Sequence, residues 1–220
     1  MGSSPSRLTD HHSILVVDAS VAINLIGSGS PAELLRALHC PLVMEETARD
    51  EVWRNPADGR PAREALDKLV EKGLLVYARL SEHAYTVFTE LTGAEPPNDL
   101  GDGEAATVAH AEDVAGTVIA DDGKAERIAR GRSPPIEVLS TIDLVSSAAV
   151  LRAINPERLA DLTTAMLQNA RMRVASHHRA WVTNLIGVER AAQCRGLGTT
   201  GGERRFTADS AIGHKRLRDE

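Results

Sequence analysis

The sequence predicts an α/β fold built on a mostly parallel sheet, and three observations support it. Short runs of aliphatic and β-branched residues recur along the chain, separated by helix-length segments of the kind parallel neighbours need as crossovers. Two of these runs, Val16-Val17 and Ile119-Ala120, end directly on acids, Asp18 and Asp121-Asp122, at the strand ends where open α/β sheets place their sites. The 220 residues, 42% of them apolar, are enough to bury one core with room for an appendage.

Each element has a local reason. Ser13 to Asp18 is a buried strand that ends on a carboxylate, and Ser20 caps a short helix through Ile26. Ser30-Pro31-Ala32-Glu33 combines a capping serine, a first-turn proline and a glutamate three residues on, predicting a helix to about His39. Pro41 to Met44 forms a second strand, followed by helices over Glu45–Trp53 and Arg60–Lys72, the latter stopped by Gly73. Leu74 to Ala78 is a third strand, Ser81 opens a helix to about Leu91, and Thr92 to Gly101 has the composition of a loop. A small-residue helix over Gly103–Val114, a strand over Thr117–Ala120, a helix over Asp122–Arg130 and a strand over Ile136–Leu139 follow. Thr141–Ala153 and Pro156–Met172 close the series as helices, the second running on toward Arg179 through Val174 at roughly helical spacing. The expected organisation is a disordered lead-in over 1–12, a body over 13–154, a helical extension over 155–190 and a disordered basic tail over 191–220. In the extension, Trp181, Leu185 and Ile186 either cover a partner or fold back onto the body.

Composition excludes several classes. The longest apolar stretch, Ile14 to Ile26, is broken by Asp18 and Asn24 and falls short of the roughly 18 apolar residues of a membrane span. No charged patch leads into an apolar run near Met1, so no secretory signal is read. Cys40 and Cys194 lie far apart and outside any CxxC pair, which fits a reducing cytoplasm. The eight histidines show no metal-ligand spacing. The net charge of −6 is uneven: from Gln168 onward ten basic residues face five acids, leaving +5 against −11 for the rest. A basic tail on an acidic body serves either nucleic-acid attraction or solubility.

The chemistry is carried by carboxylates. Besides Asp18 and the Asp121-Asp122 pair, Glu104 stands just inside a helix start and Glu51 lies on the helix after the second strand. Taken singly, each can be a helix cap and nothing more. Taken together, converging acids repel one another unless a divalent cation compensates them, and an oxygen-only donor set suits Mg²⁺ or Mn²⁺. Such ions catalyse phosphoryl transfer, the chemistry of nucleases.

At these residues the chain resembles the PIN-domain family. Leu15-Val16-Val17-Asp18-Ala19-Ser20 resembles its opening motif, and Thr47-Ala48-Arg49-Asp50-Glu51-Val52 its second. Gly101-Asp102-Gly103-Glu104-Ala105 resembles a glycine-glutamate variant of the third, and Val118-Ile119-Ala120-Asp121-Asp122 a double-aspartate variant of the fourth. Order and spacing hold from Ser13 to about Leu151. The resemblance implies a three-layer α/β/α sandwich and a Mg²⁺- or Mn²⁺-dependent ribonuclease, often the toxin of a bacterial toxin–antitoxin pair. RNA, an antitoxin protein and a second copy of the chain are then the implied partners. It also implies Asp18, Glu51, Glu104 and Asp122 as catalytic metal ligands, with Ser20 as a further candidate ligand; Asp121 competes with Asp122, and Glu45, Glu46 and Asp50 compete with Glu51.

Lys124, Arg127 and Arg130 recur at three-residue spacing on the helix after Asp122, where they are candidates for RNA phosphates, with Arg49 and Arg54 extending the patch. An aromatic content of 3% leaves little for base stacking and favours recognition of backbone and shape. Three alternatives have sequence-level tests. A haloacid-dehalogenase-type phosphotransferase needs a second aspartate where Ser20 stands, and a metal-dependent adhesion module needs serine where Ala22 stands. A catalytically silent PIN-like scaffold that only binds RNA or a partner would not need all four acids.

Overall fold

The computed structural model describes residues 6–53 and 62–197. Its strands are β1 (Leu15–Val17), β2 (Leu42–Glu45), β3 (Leu75–Ala78), β4 (Thr117–Ile119) and β5 (Val138–Leu139). They pair in parallel in the order β3-β2-β1-β4-β5, with Leu15 beside Leu42 on one side and Thr117 on the other. The chain therefore winds outward from β1 to β3, returns to lay β4 against β1, and ends on β5. Strand order reverses between β1 and β4, and a crevice opens there beyond the carboxyl ends.

The strand side chains alternate between two cores, as a pleated sheet requires. Leu15, Val17, Leu42, Met44, Ile119 and Leu139 face one side. Val16, Val118, Ala120 and Val138 face the other. The first core is covered by α1 (Ala19–Gly27), α2 (Pro31–Leu35), α4 (Ala62–Glu71), α8 (Thr141–Val145), α9 (Ala148–Ala153) and α10 (Pro156–Asn169). The second is covered by α5 (Glu82–Thr92), α6 (Asp102–Asp113) and α7 (Gly123–Arg130). The short α3 (Glu46–Asp50) follows β2 and packs on α6. The result is the three-layer α/β/α sandwich, with every strand pair parallel.

The structure departs from the expected organisation at both ends. Residues 6–12, expected as part of a disordered lead-in, lie on the body: the Arg7 backbone N–H donates to Asp143 Oδ1 at 2.9 Å, its guanidinium donates to the Val138 carbonyl at 2.8 Å, and Leu8 is buried. The expected 155–190 extension is no appendage. Leu159, Leu162, Met166, Met172, Val174, Val182 and Ile186 belong to the same core as Leu15, with Val182 and Ile186 on α11 (Arg179–Ile186). After α12 (Val188–Ala192), Cys194 and Leu197 are buried too, so residues 191–197 of the expected tail are packed. Gly196 makes this possible: a Cβ there would stand 1.9 Å from the Met172 carbonyl oxygen. The rest of that tail, from residue 198, and the expected lead-in residues 1–5 lie outside the described residues.

Helix breaks also differ. The helix expected over Thr141–Ala153 is two, because Ser147 accepts the Val150 N–H and starts α9 afresh. The helix expected to run toward Arg179 stops at Asn169, and Arg171 adopts φ 54°, a left-handed conformation that ends a helix.

Candidate active site

Of the four acids singled out from sequence, Asp18, Glu51 and Glu104 line one pocket at the crevice, and Asp122 stands near enough to Glu104 to perturb it. Asp18 follows β1 and N-caps α1, its Oδ2 accepting the Ser20 N–H at 3.2 Å and the Ser20 hydroxyl at 2.6 Å. The cap fixes a carboxylate that is only 5% exposed, and Ser20 orients it. Glu51 sits at the C-terminal end of α3. Its competitors are engaged elsewhere: Glu45 caps α3, Glu46 pairs with Arg49 and Arg79, and Asp50 pairs with Arg49. Glu51 accepts the Gly103 N–H at 2.8 Å. Glu104, one residue on, turns back to accept the Gly101 N–H at 3.3 Å. Asp18, Ser20, Glu51, Gly101 and Glu104 line one open pocket of about 360 Å³.

The double aspartate after β4 splits its roles. Asp121 accepts from Asn24 Nδ2, the Thr141 N–H and the Thr141 hydroxyl, so both its oxygens are taken by neighbours that tie β4 to α1 and α8. Burial pushes its carboxyl up against the pull of those donors. Asp122 points outward and caps α7 through Oδ1, which accepts the Lys124 and Ala125 N–H groups. Asn24, the polar interruption of the apolar run Ile14–Ile26, is explained by this contact. It was legible only as a break.

Burial raises the Glu104 carboxyl, and the charges of Asp122 and Asp18 raise it further, while the Gly101 N–H and Lys124 oppose the rise. Asp18 and Asp122 are therefore each within electrostatic reach of Glu104, and repulsion of this kind is what a divalent cation relieves. The donor set is oxygen-only, which fits a hard ion. As the side chains stand, however, no three Asp, Glu, His or Cys among the described residues are close enough to hold one ion together. The physical reason is local: each acid has turned to the nearest N–H or hydroxyl, an arrangement that satisfies its charge without bringing like charges into contact.

Gly103 has a role that the sequence did not reveal. A Cβ on it would fall 2.5 Å from the Glu51 carboxylate, so only glycine leaves room for that group against the start of α6. Gly103→Ala is expected to displace Glu51 and lower kcat/KM by up to about a hundredfold. Stability should change by less than about 1 kcal/mol, because the obstructed group is the end of a flexible side chain and alanine favours the helix. Steady-state cleavage kinetics with a thermal melt check this; unchanged kinetics would remove Glu51 from the site.

The cations expected to meet RNA are largely engaged. Arg127 donates to Asn98 Oδ1 at 2.9 Å and to the Pro97 carbonyl at 3.0 Å, pinning the loop before α6, and Arg130 pairs with Glu126 at 2.8 Å. Arg49 lies over the Tyr77 ring and pairs with Glu46 and Asp50. Among the described residues Lys124 pairs with Asp99, at 3.8 Å, and faces Glu104 closely enough to lower its carboxyl. Arg54 lies outside the described residues.

Ser140, His178 and Asp143 also cluster, but as a structural knot. One imidazole nitrogen, Nε2, faces both the Ser140 hydroxyl at 3.2 Å and Asp143 at 3.5 Å, whereas a nucleophile-activating histidine uses one nitrogen for each.

Fold and site together define an α/β/α protein with a cluster of acids at the switch point of a parallel sheet. The chain belongs to the PIN-domain family, whose profile matches residues 14–187. No curated protein matches it. Among solved structures, the crystal structure of VapBC2 from Rickettsia felis bound to a DNA fragment from their promoter contains a chain similar to this one over 58% of this chain and 98% of that one, at 15% identity and a TM-score of 0.41. No helix among the described residues is long and apolar enough to cross a membrane.

Proposed function

We propose that this protein is a divalent-metal-dependent ribonuclease that hydrolyses RNA phosphodiester bonds. The observation that carries the reading is the convergence of Asp18, Glu51 and Glu104 on one pocket at the β1/β4 switch point, with Asp122 close enough to perturb Glu104. Asp18, Glu51, Glu104 and Asp122 are the residues that would hold Mg²⁺ or Mn²⁺, once their side chains turn toward the ion from their present N–H and hydroxyl partners. A bound ion of this kind lowers the pKa of an attacking water and offsets charge on the phosphoryl oxygens. The chain's own contribution is positioning: Ser20 holds Asp18, the Gly103 N–H holds Glu51, and the Asp122 cap fixes the start of α7 beside them. Lys124 stands at the same edge, where its ammonium meets the backbone of a bound RNA strand.

Through its family the reading extends to a toxin of a toxin–antitoxin pair that acts in the cytoplasm as a homodimer restrained by an antitoxin protein. The decisive experiment is cleavage of a single-stranded RNA with Mg²⁺, with Mn²⁺ and with EDTA. Cleavage that needs either ion is expected; intact RNA under all three conditions would leave a non-catalytic scaffold. Co-purification with the product of a neighbouring small gene, and light scattering, check the antitoxin and the dimer.

A further inference from the structure

A further pocket, of about 240 Å³, opens at the carboxyl ends of β4 and β5, with Asp121 in its lining. Arg7, Arg173, His177 and Arg179 line it together with Asp121 and Glu126. Its two carboxylates are occupied: Asp121 by Thr141 and Asn24, Glu126 by Arg130. Its guanidiniums are held but not used up. Arg7 is anchored on the Val138 carbonyl and near Asp143, and Arg179 Nε donates to the Val174 carbonyl at 3.2 Å. Arg173 has no hydrogen-bond or ion-pair partner among the described residues and is exposed. Three cations in one concavity of a chain with net charge −6 form a site for an anion, and the planar guanidinium fork matches a phosphate.

We infer that this pocket binds a backbone phosphate of the RNA strand whose scissile phosphate lies at the acids. The inference rests on the ribonuclease reading. Two features select nucleic acid over an acidic peptide. The pocket is lined by Asp121, the neighbour of Asp122, and by Glu126 on α7, so a strand running from the acids past the start of α7 has it in its path. The cations of α7 itself are mostly paired within the protein, and a polyanion entering an acidic crevice needs positive charge on its flank. Arg173 and Arg179, which by sequence belong to the basic C-terminal segment, are carried to this flank by the packing of 172–186 on the core.

The test uses the full chain carrying Asp18→Asn, in EDTA, with a fluorescein-labelled single-stranded RNA followed by anisotropy across a salt series. Arg173→Ala is expected to reduce the log–log salt slope by about 0.7 and to weaken binding about fivefold at 0.1 M salt, the same change read at one concentration. Arg173→Lys should restore the slope. Unaltered slope and affinity in Arg173→Ala, with an unshifted melting temperature, overturn the pocket. Displacement of the RNA from the Asp18→Asn parent by poly-glutamate, combined with that unaltered slope, reassigns the pocket to an acidic protein and equally overturns it. The ribonuclease reading is judged apart, by metal-dependent cleavage in the native chain: cleavage with an Arg173-independent slope rejects the pocket alone, and absence of both cleavage and RNA binding rejects both.

Discussion

Asp18→Asn is expected to lower metal-dependent RNA cleavage by at least about a thousandfold. The estimate comes from about 4 kcal/mol of lost transition-state stabilisation, within the several kcal/mol that a coordinated divalent ion supplies. The fold should survive. Asparagine caps a helix as well as aspartate, so the start of α1 keeps its acceptor for the Ser20 N–H. One negative charge also leaves a cluster in which Asp18 already raises the Glu104 carboxyl. The informative pair of measurements is cleavage with Mg²⁺ or Mn²⁺ and thermal unfolding without either. Full activity in the variant would show that Asp18 is a helix cap only.

Asp143→Asn is expected to destabilise the protein by about 3–5 kcal/mol, the range for breaking a buried charge network. Its carboxylate is fully buried and receives the backbone N–H groups of Arg7 and Ser140, the Ser140 hydroxyl and the His178 ring. One side chain thus ties the N-terminal segment, the loop after β5 and the segment before α11 together. Burial alone would raise this carboxyl; the hydrogen bonds from His178, Arg7 and Ser140 outweigh it and hold the group well below the usual carboxylate range. The sign of the pH dependence follows. The folded-state value is depressed, so the stabilisation is complete above about pH 4, the unfolded value, and is lost as pH falls toward the folded one. Urea unfolding of the native protein and the variant should therefore give stabilities that converge below about pH 4. A gap independent of pH would show that the amide substitution acts through packing.

Much of the site was legible because its signals are local. A β-branched run ending in aspartate can be read within six residues, and so can a Gly-Asp-Gly-Glu helix start, since both depend on backbone conformation and on hydrogen bonds between near neighbours. What separates Asp121 from Asp122 was not legible, and from sequence alone the two remain competitors. The two share one dipeptide, and they differ only because Asn24 and Thr141, 97 and 20 residues away from Asp121, consume its oxygens. The same holds for Glu51 against Glu45, Glu46 and Asp50: the outcome depends on which arginines lie across α3 and on the gap left by Gly103.

Sequence periodicity alone determined the α/β class, the position of each strand and the list of acids, because a strand's alternation and a helix's cap are set by residues that touch in sequence. Tertiary structure decided the rest. It made residues 6–12 and 155–197 part of the body, since their apolar side chains bury in a core shared with elements far off in the chain, as Met172 and Val174 share one with Leu15 and Leu42. It moved Arg173 and Arg179 from an expected helical extension to the carboxyl ends of β4 and β5. Burial and long-range charge depend on position in space, and no window of sequence contains them.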